Sequence, residues 1–433
     1  MLPPLLRENA NFRRYFLGQA ISLIGDQISL VALPLTAVLA LHATPGQMGA
    51  LTTVALVPNL LFSLHAGSWV DRRGDRRGVM LLTDLGRGLL VATIPVAFAL
   101  GHLTWAHLYV VAFGTGTLSV FFYVAYGGFF QAVVRREDYV AANSLSHGTR
   151  AFSFFAGASL GGVLVQVFRG PYALVADAFS FLWSAYFLGK IRADDPPAED
   201  VAQAGVLAGA RWIRRNGIIR AELLGVATLN LFNFVFASLY LLYITRFLDM
   251  RPAIVGVVLG SASFGALIGS AVTGRVSRRF GVGPTFIAGC FLFPAPLVLI
   301  PAAGGPHGLV IAFLVAAETL SGFGLMLLDI LAGAIMAGVI PQPLRSRVSG
   351  AFMVVNNGVR PVGTALGGVL GTWIGVRTTL WIGTLGALAG LAFLLPSPIR
   401  SLRDVPEVDT GVDSAEPAKS GSAGSAGAGS GTG

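Results

Sequence analysis

The sequence predicts an all-α integral membrane protein whose twelve transmembrane helices form two pseudo-symmetric six-helix bundles. Three observations lead there. Across 433 residues the chain is 54% hydrophobic, with a mean hydropathy of +0.72, more apolar surface than water-soluble domains can hide behind a polar exterior. Apolar stretches long enough to cross a bilayer core of about 30 Å, which takes roughly 20 helical residues, recur along almost the whole chain. The two halves of the chain also repeat one another.

In order, the expected spans are 15–41, 47–70, 79–100, 106–134, 144–168, 171–190, 220–245, 253–274, 284–303, 308–334, 348–373 and 377–396. These runs are continuous and rich in Gly, Leu and Ala, which excludes a β-barrel, whose strands are short and alternate polar with apolar. The opening "MLPPLLRENANFRRYFLGQ" lacks the short apolar core and cleavage site of a signal peptide, so the first helix is expected to stay as an anchor. Cys290 is the sole cysteine, which rules out an internal disulfide and a cysteine-based metal cluster.

The formal charge of +9 is distributed by side rather than by patch. With the N-terminus inside, 23 Lys and Arg fall in cytoplasmic segments and four (Arg169, Arg246, Arg251, Arg377) on the other side. The positive-inside rule then places both termini in the cytoplasm of a multi-pass protein of the cytoplasmic membrane. Basic residues so placed orient helices and meet anionic lipid headgroups, and nucleic acid is not an expected partner.

After the sixth span the composition shifts to "IRADDPPAEDVAQAGVLAGARWIRRNGIIR". Four regions follow: a six-helix bundle over 1–190, a cytoplasmic linker over 191–219, a second bundle over 220–396 and a Gly/Ser/Ala-rich tail over 397–433 that is expected to be disordered. Within the linker "ARWIRRNGIIR" reads either as a short interfacial helix with Trp212 and Ile213 toward lipid or as a solvated connection. The duplication is visible in "GASLGGVL" (157–164) and "GTALGGVL" (363–370), and in "GSWVDRRGDRR" (67–77) and "GSAVTGRVSRR" (269–279). Duplicated helical bundles of this kind place a binding cavity near the midplane between halves that rock.

"GSWVDRRGDRR" resembles the loop 2-3 signature of the major facilitator superfamily, with Gly67, Asp71, Arg72, Gly74, Arg76 and Arg77 at matching positions and Asp75 departing from the pattern. With "LIGDQISLVALPL", "REDYVAANSL", "GARWIRRNGIIR" and "LRSRVSGAF", the chain is similar over residues 10–395 to the branch of enterobactin, macrolide and tetracycline-type exporters. The resemblance implies the major facilitator fold and a bias to efflux. It also implies that the 67–77 cluster is a cytoplasmic latch, where the plainer reading is topogenic charge that leaves Asp71 unexplained. Gly148, Gly157 and Gly161 are spaced like the antiporter signature of drug exporters, though Ala158 and Gly162 stand where that signature has prolines. Equally, Gly157 and Gly161, with Gly363 and Gly367 in the second copy, form a small-residue face for close helix packing.

Ionisable residues inside a span cost on the order of 3 kcal/mol and so need a partner, water or a task. Asp26 in "LIGDQISL" is a candidate proton-coupling carboxylate or the partner of Arg150. Glu318 and Asp329, 11 residues apart and so close to three turns, form a stripe expected to line the cavity as further proton-coupling candidates. Arg360 either pairs with Asp329 or holds an anionic part of a substrate. Asp84 and Arg87, at i,i+3, suit mutual structural pairing; Asp177 and Glu222 read as interfacial. Tyr123 and Tyr126 are candidate cavity aromatics.

No G-x-x-x-x-G-K-[ST] loop, HExxH motif or selectivity-filter-like segment occurs, which argues against an ATP-driven pump, a zinc hydrolase and a channel. The expectation is a monomeric secondary transporter without cofactor, driven by the proton gradient, exporting small amphipathic molecules of drug, antibiotic or siderophore type as an antiporter linked to multidrug resistance. A lipid flippase or an importer of the same fold is the alternative, and a polytopic membrane enzyme the rival from another class.

Overall fold

The computed structural model describes residues 4–192 and 206–404, and among them every regular element is helical. Spans one to six are Ala10–Leu39, Pro45–Arg73, Arg76–Ala99, Trp105–Val133, Tyr139–Phe168 and Gly170–Gly189. Spans seven to twelve are Gly217–Arg246, Pro252–Phe280, Val282–Ala302, His307–Val339, Arg345–Trp373 and Val376–Leu394. Among the described residues, ten helices are long and apolar enough to cross a membrane, or eleven when the bent helix Pro45–Arg73 counts as one. Span eleven has the length, 29 residues, but Asn356, Asn357 and Arg360 interrupt its apolar run. The expected total of twelve rests there on length and position.

Helix starts are set by short polar caps that occupy the otherwise unpaired first N–H groups. Asn9 accepts from Phe12 N–H at 2.9 Å, Asp75 from Gly78 N–H at 2.7 Å, and Asn216 from both Ile218 and Ile219. Thr44 and Gln47 form a reciprocal capping box at the head of span two. Gly74 stops that span in a left-handed conformation, φ +67°, that a side chain would resist. Span nine is discontinuous, with a 3-10 turn at Ala295–Val298, because Pro294 and Pro296 withdraw N–H donors in succession.

The linker helix Val206–Arg215 corrects one expectation. Ile213 is buried and Trp212 half-buried in an apolar cluster with Ile219 and Val348, and Gly209 lies directly on the Arg347 backbone. The helix leans on the start of span eleven, so Ile213 faces protein and not lipid. Arg211, Arg214 and Arg215 remain exposed. The start of the tail, expected to be disordered from residue 397, is instead ordered: Pro398–Ser401 form a 3-10 turn with Ile399 fully buried, and the carbonyls of Leu402 and Arg403 accept from Gly283 and Val282 at the head of span nine. The acidic part of the linker and the tail beyond residue 404 lie outside the described residues.

The halves join chiefly through two helix pairs, two with eleven and five with eight, with span seven also reaching spans one and two. Along the first pair Gly46 faces Thr372, Gly49 faces Gly368, the hydroxyls of Thr53 and Thr364 lie 2.8 Å apart, and Gly358 still meets Leu60. Further on, Gly67 and Gly350 have nothing near them. Along the second pair Gly162 sits on Gly256, Gly260 on Ser159, and Phe155 on Phe264 with ring centroids 4.7 Å apart. Gly148 beyond them again meets open space. Since successive spans alternate in direction, the tight contacts all belong to the face opposite the described chain ends. The halves are closed on that face and part toward the face that holds the chain ends, called here the terminal face.

Candidate functional site

Each bundle holds a principal polar cluster among the described residues. In the first half, Arg87 of span three is 1% exposed and Asp84, one turn earlier, is fully buried. Arg87 Nη2 binds Asp84 Oδ1, and Nη1 lies 3.8 Å from Asp26 Oδ1 of span one. The guanidinium is held between the Phe122 and Phe181 rings, 4.3 Å from each centroid, a geometry in which both ring faces attract the cation. Tyr123 of span four donates to Asp26 Oδ2 at 3.4 Å. Asp26 retains one-quarter of its side-chain exposure, and Tyr123 is about half exposed at 48%.

The partner of Asp26 is therefore Arg87, not Arg150, which is exposed on the terminal half of span five. The expected Asp84–Arg87 pair is present, but it belongs to the same cluster as Asp26. Asp177 corrects a second expectation: it is 1% exposed, not interfacial, and accepts from Ser29 and, at 3.1 Å, from Ser180. Gly25 makes room for it by letting span one touch span six.

In the second half a cavity of about 550 Å³ opens between spans seven, nine, ten and eleven. Asp329 and Arg360 both line it, with Asn230, Asn356 and Asn357, over an apolar floor that includes Phe352. The two charges do not form an ion pair within 4.0 Å. Arg360 lies over the Phe234 ring at 5.5 Å, and its Nε is buried without a hydrogen-bond partner. Asn230 donates to Asn356 at 2.7 Å, bridging spans seven and eleven. The Glu318–Asp329 stripe divides: Asp329 lines the cavity, whereas Glu318 sits three turns away beside Tyr240. Glu222, expected at the interface, is fully buried, and neither carboxylate oxygen has a partner.

The 67–77 cluster holds together within the first bundle. Arg76 binds Asp71 at 3.0 Å and lies across Gly128 of span four. Arg77 donates to the carbonyls of Ile191 at 2.7 Å and Gly189 at 3.1 Å, capping the end of span six, where carbonyls lack helical partners. Arg72 Nε reaches only Ser68 O in its own helix, at 3.1 Å, and Gly67 contacts nothing nearby. These bonds form while the terminal face is open, so they staple spans two, three and six and do not depend on closure.

The repeated glycines have parallel roles. Gly157 and Gly161 pack on span one at Gln27 and Ile28; Gly363 and Gly367 pack on span seven at Leu231 and Val235. Their neighbours Gly162 and Gly368 face the opposite half. Gly148 is exposed with open space around it, so it is not a packing glycine in this conformation. Tyr126 is part of an aromatic stack with Tyr15, centroids 5.4 Å apart, and with Phe122.

The family model described as Major Facilitator Superfamily matches residues 15–229 and again 223–421. The chain belongs to the Major Facilitator Superfamily. Among its relatives in the superfamily is an uncharacterized MFS-type transporter, YfiS of Bacillus subtilis, 26% identical over 93% of this chain and 97% of that protein. The enterobactin exporter EntS of Citrobacter koseri is 23% identical over 94% of this chain and 97% of its own. The putative bacilysin exporter BacE of Bacillus subtilis is 26% identical over 65% of this chain and 70% of its own. Two solved structures share the fold: a variant of the nucleoside transporter NupG, with a TM-score of 0.73, 12% identity and coverage of 89% and 99%, and a bacterial homologue of the iron transporter ferroportin in an inward-facing state, at 0.72, 16%, 91% and 99%. This MFS transporter is a multi-pass membrane protein that handles a small-molecule substrate.

Proposed function

We propose that this MFS transporter exports a small amphipathic organic molecule across the cytoplasmic membrane by alternating access, in exchange for protons, with both termini in the cytoplasm. The observation that carries the reading is one cation, Arg87, shared between a buried carboxylate, Asp84, and a partly exposed one, Asp26. When Asp26 is ionised, Arg87 is held from both sides. When Asp26 takes up a proton, that attraction is lost and Arg87 settles on Asp84 alone, freeing the Tyr123 hydroxyl at the same moment. A protonation event then changes the packing of spans one, three and four together, the requirement for coupling a proton to a bundle movement.

Direction is supported by two exporter relatives, EntS and BacE, and alternating access by halves closed on one face only. Orientation is supported by the excess of basic residues on the terminal face. Everted membrane vesicles carrying the full chain test the reading. Imposing an inside-acid gradient drives accumulation of a fluorescent amphipathic zwitterion by the wild type, and Asp26→Asn abolishes this dependence while gradient-free exchange continues. Wild-type transport that ignores the gradient, or lipid transfer in its place, overturns the proposal.

A further inference from the structure

We propose that the cavity in the second half is a recognition pocket for a zwitterion with an apolar body, a free amino acid or short peptide bearing aromatic or aliphatic side chains. The inference names a substrate class and rests on the transport reading above. Its volume, about 550 Å³, suits one drug-sized molecule. Its walls carry one anion, Asp329, and one cation, Arg360, on different helices.

A structural pair would bring these two charges together. Instead they make no ion pair within 4.0 Å, Asp329 remains exposed, and Arg360 lies over the Phe234 ring at 5.5 Å while its Nε has no partner. A guanidinium whose Nε–H is unused can match a carboxylate two bonds at a time. A carboxylate across the same cavity matches an ammonium group. Three asparagines on the same cavity wall, Asn230, Asn356 and Asn357, offer donors and acceptors for the amide or carbonyl in the middle of such a molecule. The apolar floor takes its side chains. A ligand of one sign would leave the opposite wall charge desolvated and unpaired, which disfavours it.

The test is equilibrium binding to the purified full-length transporter in detergent, without any gradient. The probes are a dipeptide of two phenylalanines, its N-acetyl form and its C-terminal amide. The free dipeptide binds the wild type about 10- to 100-fold more tightly than either blocked form, the loss expected for one charged hydrogen-bonded contact. In Asp329→Asn the N-acetyl form loses its disadvantage, and in Arg360→Gln the amide does. The wild-type comparison needs no variant and so stands even if one of them fails to fold. Equal affinity for all three probes, or no binding of the free dipeptide, overturns the pocket's assignment. That outcome leaves proton-driven export intact if the vesicle assay still depends on Asp26. Retained zwitterion binding with gradient-independent transport sinks the coupling and spares the pocket.

Discussion

Arg87 is one of the most enclosed charged side chains in the first half. It is 1% exposed, and its partner Asp84 is fully buried. Arg87→Gln leaves Asp84 buried with no cation, which costs about 3–5 kcal/mol, the range for breaking one side of a buried pair. The variant is expected to melt well below wild type in detergent, and Asp84→Asn added to it restores part of the loss. A double variant that melts as low as Arg87→Gln alone would show that packing around the rings, and not charge, decides the site. Glu222 gives the opposite expectation. Both its oxygens lack partners, so Glu222→Gln keeps or slightly raises the melting temperature. At this scale the i,i+3 spacing of Asp84 and Arg87 was readable, since a helix makes those positions neighbours. That Asp26 joins them was not, because spacing within one helix carries no information about which other helix faces it. Asp177 and Glu222 illustrate the same limit: position in a span gives depth, but not the side that turns inward.

Between elements, the copied motif does two tasks in adjacent positions. The first glycines of "GASLGGVL" and "GTALGGVL" let spans five and eleven lie against spans one and seven, and the later ones let the halves touch. Filling Gly162, which sits directly on Gly256 and the Pro252 carbonyl, forces spans five and eight apart on the closed face. Gly162→Leu is therefore expected to raise labelling of Thr53→Cys by a membrane-impermeant maleimide several-fold from that side. Background is low because Cys290 is 1% exposed. Unchanged labelling would mean that the interface yields elsewhere. The small-residue pattern was legible as a packing face, but its split between inner and outer partners depends on how spans five and eleven are rotated. Span eleven is the least apolar of the twelve helices because its polar residues, Asn356, Asn357 and Arg360, line the cavity, where water or ligand compensates them.

For the whole molecule, closure on one face and separation on the other define what movement turnover needs. A disulfide between Thr53→Cys and Thr364→Cys, whose native hydroxyls lie 2.8 Å apart, should hold the closed face shut and stop transport, with recovery on adding a reductant. Turnover that survives the crosslink would rule out rocking of the halves. Small tags on the two ends are expected to be reached from the same side. Composition, the spacing of apolar runs and the repeated motifs determined by themselves that this is a duplicated helical membrane protein, because burial in lipid imposes length and hydrophobicity on every span independently of its neighbours. Only the tertiary structure decided that Arg87 serves Asp26, that Asp329 and Arg360 share a cavity unpaired, and on which face the halves meet, because those facts depend on helix rotation and on contacts between residues far apart in the chain.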